Sequence, residues 1–227
     1  MSVGAFVFLS MPRVCFAFLF LLAVGGPPVS AQDATLTGEV DLGPAPRERR
    51  ATQRYAEIDR AQMGEPSPRV AVVSATPLDR PAPRPDVLSP AVMWQRGLHF
   101  HPRTLPVLVG TTVEFPSADE TYHSVFSYSK GNDFDLGRYL PEEEPPTYTF
   151  ETPGEVRLFC DVHEHMRASI LVLETPYFTV TDPDGRFTLA GLPPGRYRID
   201  VWVNPRDKRA VEVNLAAEET RALDFPR

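Results

Sequence analysis

The sequence predicts an all-β protein made of β-sandwiches, and three observations carry that reading. Apolar residues recur at every second position through most of the chain, which puts one face of each segment inward. These runs are short and are separated by turn-forming stretches such as DPDG (182–185) and LPPG (192–195). Helical periodicity is nearly absent. The best candidate, RRATQRYAEIDRAQM (49–63), has a weak apolar pattern.

Taken in order, the chain opens with one charge, Arg13, ahead of the apolar run VCFAFLFLLAVGG and then PPVSA. A basic start, an apolar stretch of about a dozen residues and small residues before a break read as a secretory signal over 1–31. Val29 and Ala31 suit the positions before cleavage, so the mature chain starts near Gln32; Met11 could equally serve as the first residue. The apolar run is too short to span a bilayer comfortably, so no membrane span is expected after cleavage. Residues 32–90 contain two β-rich segments, ATLTGEVDLG and PRVAVVSATPL, and end in the proline-rich RPAPRPDVLSP (80–90), a stiff linker. TLPVLVGTTVEF aligns Leu105, Val107 and Val109 on one face and turns at Gly110 toward Val113 and Phe115. LPEEEPP (140–146) is an exposed loop. GEVRLFC places Val156, Leu158 and Cys160 on a common face, and ASILVLE is continuous enough to be covered on both sides. Beyond residue 176, strand follows strand through DPDG and LPPG, with Phe187, Leu189, Tyr197, Ile199 and Val201 forming one core face.

Charge narrows the partners. The formal net charge is −7, or −8 once Arg13 is lost, and no basic stripe is visible, so nucleic acid is not expected. Only Cys160 would remain in the mature chain, since Cys15 lies in the apolar run. A single cysteine in an exported chain cannot form an internal disulfide. A lone thiol there needs an occupation, and a ligand role supplies one; the bland alternative is a buried cysteine acting as a small apolar group.

The surroundings of Cys160 favour the ligand. LFCDVHEHMRASILVL (158–173) holds Cys160, His163 and Met166 in the spacing C-x-x-H-x-x-M between two strands. DETYHSVFS offers His123 at the start of a separate strand. Two imidazoles, one thiolate and a weak thioether describe a blue-copper electron-transfer centre. Thiolate and thioether favour Cu(I), whereas imidazole accepts both oxidation states. His165 could replace Met166 as the fourth ligand; Met166 is preferred because a weak sulfur donor suits electron transfer, which leaves His165 a solvent-exposed imidazole beside the metal. His99 and His101 share a strand face but lack a third ligand, so they read as surface residues. Trp94 and Trp202 read as core or edge packing, and Glu142 to Glu144 as a solvated loop.

At YHSVFS, FDLGRY, TPGEVRLFCDVHEHM and ILVL the chain resembles the cupredoxin domain of the plastocyanin and amicyanin group. The two-residue gap between His163 and Met166 is similar to amicyanin. DPDGRFTLAGLPPGRYRIDVW resembles the carboxypeptidase regulatory-like, or transthyretin-like, sandwich. Exported bacterial proteins often labelled methylamine-utilisation proteins join the two. The resemblance covers roughly 91–225, and weakly 34–42. It implies a cupredoxin Greek-key β-sandwich over 91–175 and a smaller sandwich segment over 176–227. The 32–90 segment would pair with the latter, so that the cupredoxin is inserted between pairing strands. It implies one type 1 copper held by His123, Cys160, His163 and Met166. Ser124 departs from the group, where asparagine commonly follows the first histidine and its backbone helps fix the thiolate; a serine amide can still donate.

The expected function is a periplasmic, non-enzymatic protein that binds one copper and exchanges single electrons with a redox protein such as a c-type cytochrome or a dehydrogenase. Five histidines are too few for a multicopper oxidase and leave little for the second site of a copper nitrite reductase. The alternative is a structural or ligand-binding sandwich carrying copper or zinc without redox work.

Overall fold

The computed structural model describes residues 32–44 and 63–227. The expected signal segment and nearly all of the 49–63 helix candidate lie outside the described residues. Within them the chain is all-β and contains no helix. Its strands are β1 (Ala34–Glu39), β2 (Val72–Pro77), β3 (Ala91–Val92), β4 (Trp94–Arg96), β5 (His99–His101), β6 (Thr104–Leu108), β7 (Thr111–Glu114), β8 (His123–Ser129) and β9 (Asn132–Tyr139). They continue with β10 (Thr147–Phe150), β11 (Gly154–Phe159), β12 (Arg167–Leu173), β13 (Phe178–Val180), β14 (Arg186–Leu192), β15 (Gly195–Asn204), β16 (Asp207–Leu215) and β17 (Thr220–Ala222).

Two apolar cores organise these strands. The first lies between a sheet of order β6-β12-β11-β8-β9 and a sheet of order β10-β7-β3, with the β4-β5 hairpin beside them. Val113, Phe115, Phe150, Val156, Leu158 and Ile170 fill it, each at most 1% exposed. Alternation explains the filling. In β11, Val156 and Leu158 point inward, and Cys160 continues the same face one step past the strand. β12 sits between β6 and β11; Ala168, Ile170 and Val172 face the core, and on its other face only Leu171 is buried, with Ser169 and Leu173 half-buried.

The second core lies between the sheets β14-β1-β17 and β13-β2-β15-β16. Phe187, Leu189, Tyr197, Ile199 and Val201 all point into it. β1 lies between β14, antiparallel, and β17, parallel; β2 lies between β13 and β15, antiparallel to both. The strands near residues 34–42 and 69–76 therefore complete the C-terminal sandwich. Gly185 shows why DPDG requires glycine at its end. Its φ is +92°, and a Cβ there would lie 2.1 Å from the Val40 carbonyl oxygen.

The halves touch through Glu155 on β11. Its Oε2 accepts from Trp202 Nε1 at 3.2 Å and lies 3.1 Å from Lys208 Nζ. Trp202 thus serves the contact between halves. Trp94, expected in a packing role, is 47% exposed on the short β4-β5 hairpin, where no second layer covers it. The Arg80 guanidinium at the start of the proline-rich stretch donates to the Pro193 and Pro194 carbonyls at 2.9 Å and lies over the Tyr197 ring, which ties that end of the linker to the LPPG turn.

Candidate metal centre

Three of the four expected ligands converge at one end of the first sandwich. His123 begins β8, and Cys160 and His163 lie on the loop between β11 and β12. β8 and β11 are neighbours, with Phe126 opposite Phe159, so the sheet carries the two sequence-distant parts together. Cys160 Sγ is 4.0 Å from His123 Nδ1 and 4.0 Å from His163 Nδ1. The three ligand atoms lie within 4.8 Å of one another, and all three residues are buried. A metal about 2.0–2.1 Å from each nitrogen and about 2.3 Å from sulfur, at trigonal angles, separates sulfur and nitrogen by about 3.7 Å. The observed spacing needs only a small contraction to hold an ion.

Burial pushes the Cys160 thiol up, but bonds from the His123 and His163 rings and from the Ser124 and His163 backbone amides outweigh it and bring it down to about 5. The thiolate a metal requires is thus the stable form at neutral pH. The amide at Ser124 makes the contact that asparagine commonly provides in the group the sequence resembles. Serine adds something else here. Its hydroxyl donates to Asp161 Oδ1 at 2.6 Å, accepts from the Asp161 amide at 2.9 Å and lies 3.8 Å from Cys160 Sγ. Asp161 in turn receives Nε and Nη2 of Arg138 at 3.0 and 2.8 Å. That chain pins Asp161, the residue after Cys160, to β8 and β9.

His123 is oriented from behind. Its Nε2 lies 2.9 Å from Asp119 Oδ2, which leaves Nδ1 facing the thiolate. Asp119 is held by the Gly97 amide at 2.6 Å and the Leu98 amide at 3.0 Å. A carboxylate fixing the outer nitrogen of a ligating imidazole sets its tautomer and raises its basicity. Across the ladder His123 faces Tyr139, whose hydroxyl donates to the Phe115 carbonyl at 2.7 Å and accepts from buried Gln95 Nε2. Sequence reasoning missed Asp119. The only signal was a carboxylate four residues before His123, with Glu120 an equal competitor until the backbone is known.

Met166 is 1% exposed, belongs to the same core as Cys160, and closes the loop through its amide to the His163 carbonyl at 2.9 Å. His165 turns another way. Its Nε2 lies 3.0 Å from the Leu98 carbonyl, and its ring packs against His99. Glu142 to Glu144 are exposed, as a solvated loop requires. Among the described residues no helix is long and apolar enough to cross a membrane.

A family model for the carboxypeptidase regulatory-like domain matches residues 166–226. Among solved structures, a copper-containing nitrite reductase from Thermus scotoductus SA-01 is 28% identical over 44% of this chain and 25% of its own, with a TM-score of 0.36. The chain therefore spans about a quarter of that enzyme. A Cu(I) form of an amicyanin variant is 21% identical over 44% of this chain and 99% of its own, with a TM-score of 0.35. An oxidised amicyanin variant is 20% identical over the same shares, with a TM-score of 0.34. No curated protein matches the chain. The chain is thus similar to a carboxypeptidase regulatory-like domain at its C-terminal end and to copper proteins over part of its length.

Proposed function

We propose that this is an exported protein with a mononuclear blue-copper centre that carries single electrons between periplasmic partners and catalyses no reaction of its own. One observation carries the reading: Cys160 Sγ stands equidistant, at 4.0 Å, from two buried imidazole nitrogens. A His₂Cys set with a weak axial sulfur is the donor set of type 1 copper. Bound there, copper would supply a one-electron couple. The protein's own part is to keep the donors in place. Asp119 holds His123, the Ser124–Asp161–Arg138 chain holds Cys160, and the sandwich holds both, so the ligands need little rearrangement when the charge of the ion changes.

Met166 is the fourth ligand in this reading. It is the buried sulfur of the loop, whereas His165 is engaged by the Leu98 carbonyl. The partner is a redox protein such as a c-type cytochrome or a dehydrogenase, met outside the cytoplasm after removal of residues 1–31. In this reading the chain is of the type of exported protein labelled a methylamine-utilisation protein, which the sequence resembles. The test is the visible absorption and paramagnetic resonance of purified mature protein given one equivalent of Cu(II). Strong thiolate-to-copper charge transfer supports the proposal. A colourless protein that prefers Zn(II) in competition would leave a metal-carrying sandwich without redox work.

A further inference from the structure

The two histidines that the sequence left without a third ligand meet a third histidine in the fold. His99 and His101 stand two apart on β5 and so share a face. Their ring centroids are 6.3 Å apart. His165 comes in from the ligand loop, with its ring 5.8 Å from that of His99. On one ion with metal–nitrogen bonds of about 2.0–2.1 Å, two imidazole centroids stand about 5–6 Å apart. His99 thus stands near that spacing from each of its two neighbours.

The hydrogen bonds fix the outer nitrogen of two of these rings, those of His165 and His101. A carbonyl can only accept, so the 3.0 Å contact of His165 Nε2 with the Leu98 carbonyl places the proton on Nε2 and the lone pair on Nδ1. The 3.1 Å contact of His101 Nε2 with the Arg96 carbonyl does the same for His101. His101 Nδ1 also meets Ser67 Oγ at 2.9 Å, and that hydroxyl has a second acceptor, the Phe100 carbonyl, at 3.2 Å. The hydroxyl can therefore turn away when Nδ1 is taken. Backbone carbonyls that fix the outer nitrogen are the usual outer shell of metal-binding histidine. Desolvation lowers the His101 pKa, which favours the neutral, ligating ring. Arg96 faces His99 across the hairpin, but its side chain is exposed and free to extend into solvent while the chain as a whole is acidic.

We propose that His99, His101 and His165 form a second, sulfur-free site for a divalent transition-metal cation beside the His123–Cys160–His163 centre. Three neutral imidazoles suit Cu(II), Ni(II) and Zn(II), and Cu(II) heads the affinity order. Without thiolate or thioether the site favours the oxidised ion and gives no intense visible band. The site closes on binding. Before that, only His123, Cys160 and His163 among the described histidine, cysteine and acidic side chains converge to ligand spacing. The inference does not depend on the identity of the metal in the first centre.

The test uses the tag-free mature chain and counts Cu(II) bound by competition against a chelator, with the resonance spectrum recorded at each equivalent. Wild type should take a second equivalent after the first, with no added colour and a wide copper hyperfine splitting. His99→Ala and His101→Ala should each weaken that equivalent by at least the roughly 10- to 100-fold that loss of an outer-shell partner costs. Neither should move the spectrum of the first equivalent. Should a variant fold poorly, Zn(II) titration of wild type followed by histidine ¹⁵N shifts decides instead, with Nδ1 of His101 and His165 and one ring nitrogen of His99 moving together. A single equivalent in wild type, a second equivalent unchanged in both variants, or ¹⁵N shifts that bypass these rings each overturn the proposal. Failure of the first centre would appear separately, as a missing visible band.

Discussion

Replacing Asp119 by asparagine should raise the reduction potential of the copper-loaded protein by about 100 mV. The carboxylate lies 2.9 Å from His123 Nε2 and its side chain is only 15% exposed. Crossing the ring (about 2 Å) and adding one metal–nitrogen bond of about 2.0–2.1 Å puts the charge roughly 7 Å from the ion. At that distance, with an effective dielectric constant of about 20, one unit of charge is worth about 2.4 kcal/mol. A one-electron couple shifts about 59 mV per tenfold change, so the loss corresponds to about 100 mV. The sign follows from charge, because the carboxylate favours Cu(II) over Cu(I). Asparagine can still accept from His123, but its amide would face the Gly97 N–H, a donor against a donor, at a cost of about 1–3 kcal/mol in stability. Voltammetry gives the potential. In the Cu(I)-loaded protein, where Nδ1 faces the metal, ¹⁵N spectroscopy shows whether His123 carries its proton on Nε2. An unchanged or lowered potential in a folded, copper-loaded variant would refute the electrostatic argument.

Other expectations follow from the same site and the strand pairings. Met166→Leu should retain copper and raise its potential, because a weak donor favouring Cu(II) is removed, whereas His165→Ala should leave the visible spectrum nearly unchanged; the reverse outcome in voltammetry and absorption moves the fourth ligand to His165. The Cys160 thiol, brought below its ordinary value of 9.0 to about 5, should titrate near pH 5 in the metal-free protein by ultraviolet thiolate absorbance. Its contribution to stability is fully present above the unfolded value and is lost as pH falls through the folded one, so a midpoint near 9 contradicts the assigned hydrogen bonds. A fragment of residues 176–227 should not fold. Without β1 and β2 it lacks the strand between β14 and β17 and the strand between β13 and β15, and a segment of that size has little surface to bury. A cooperative melt by circular dichroism would show the opposite.

Much of this was legible in the sequence because it depends on local rules. Alternation alone places Val156, Leu158 and Cys160 on one inward face, and the C-x-x-H-x-x-M loop between strands brings Cys160 and His163 together whatever the rest of the chain does. His123 was readable by residue type, although 37 positions separate it from Cys160. The remainder depends on non-local geometry. Nothing in SADETYH distinguishes Asp119 from Glu120 until the Gly97 and Leu98 amides are in place to receive one of them. Nothing near HFH announces that His165 will pack against it, because that contact joins His99 on a hairpin to a loop residue 66 positions further on. The exposure of Trp94 was missed for the same reason: a large aromatic on a strand reads as packed unless the sheet ends beside it.

The parallel pairing of β1 with β17 has a mechanical consequence. Thr35 to Thr37 lie beside Thr220 to Ala222 with both strands running the same way. Tension drawn along the chain through Ala34 and Ala222 pulls the two strands past each other in opposite directions along their common axis. The inter-strand hydrogen bonds lie across that axis, so they share the load and must break together. A hairpin pulled at its open end would instead unzip one bond at a time. In a force-extension experiment the C-terminal sandwich should resist as a clamp, while the first sandwich, both of whose ends run into the second, is shielded until that clamp gives way.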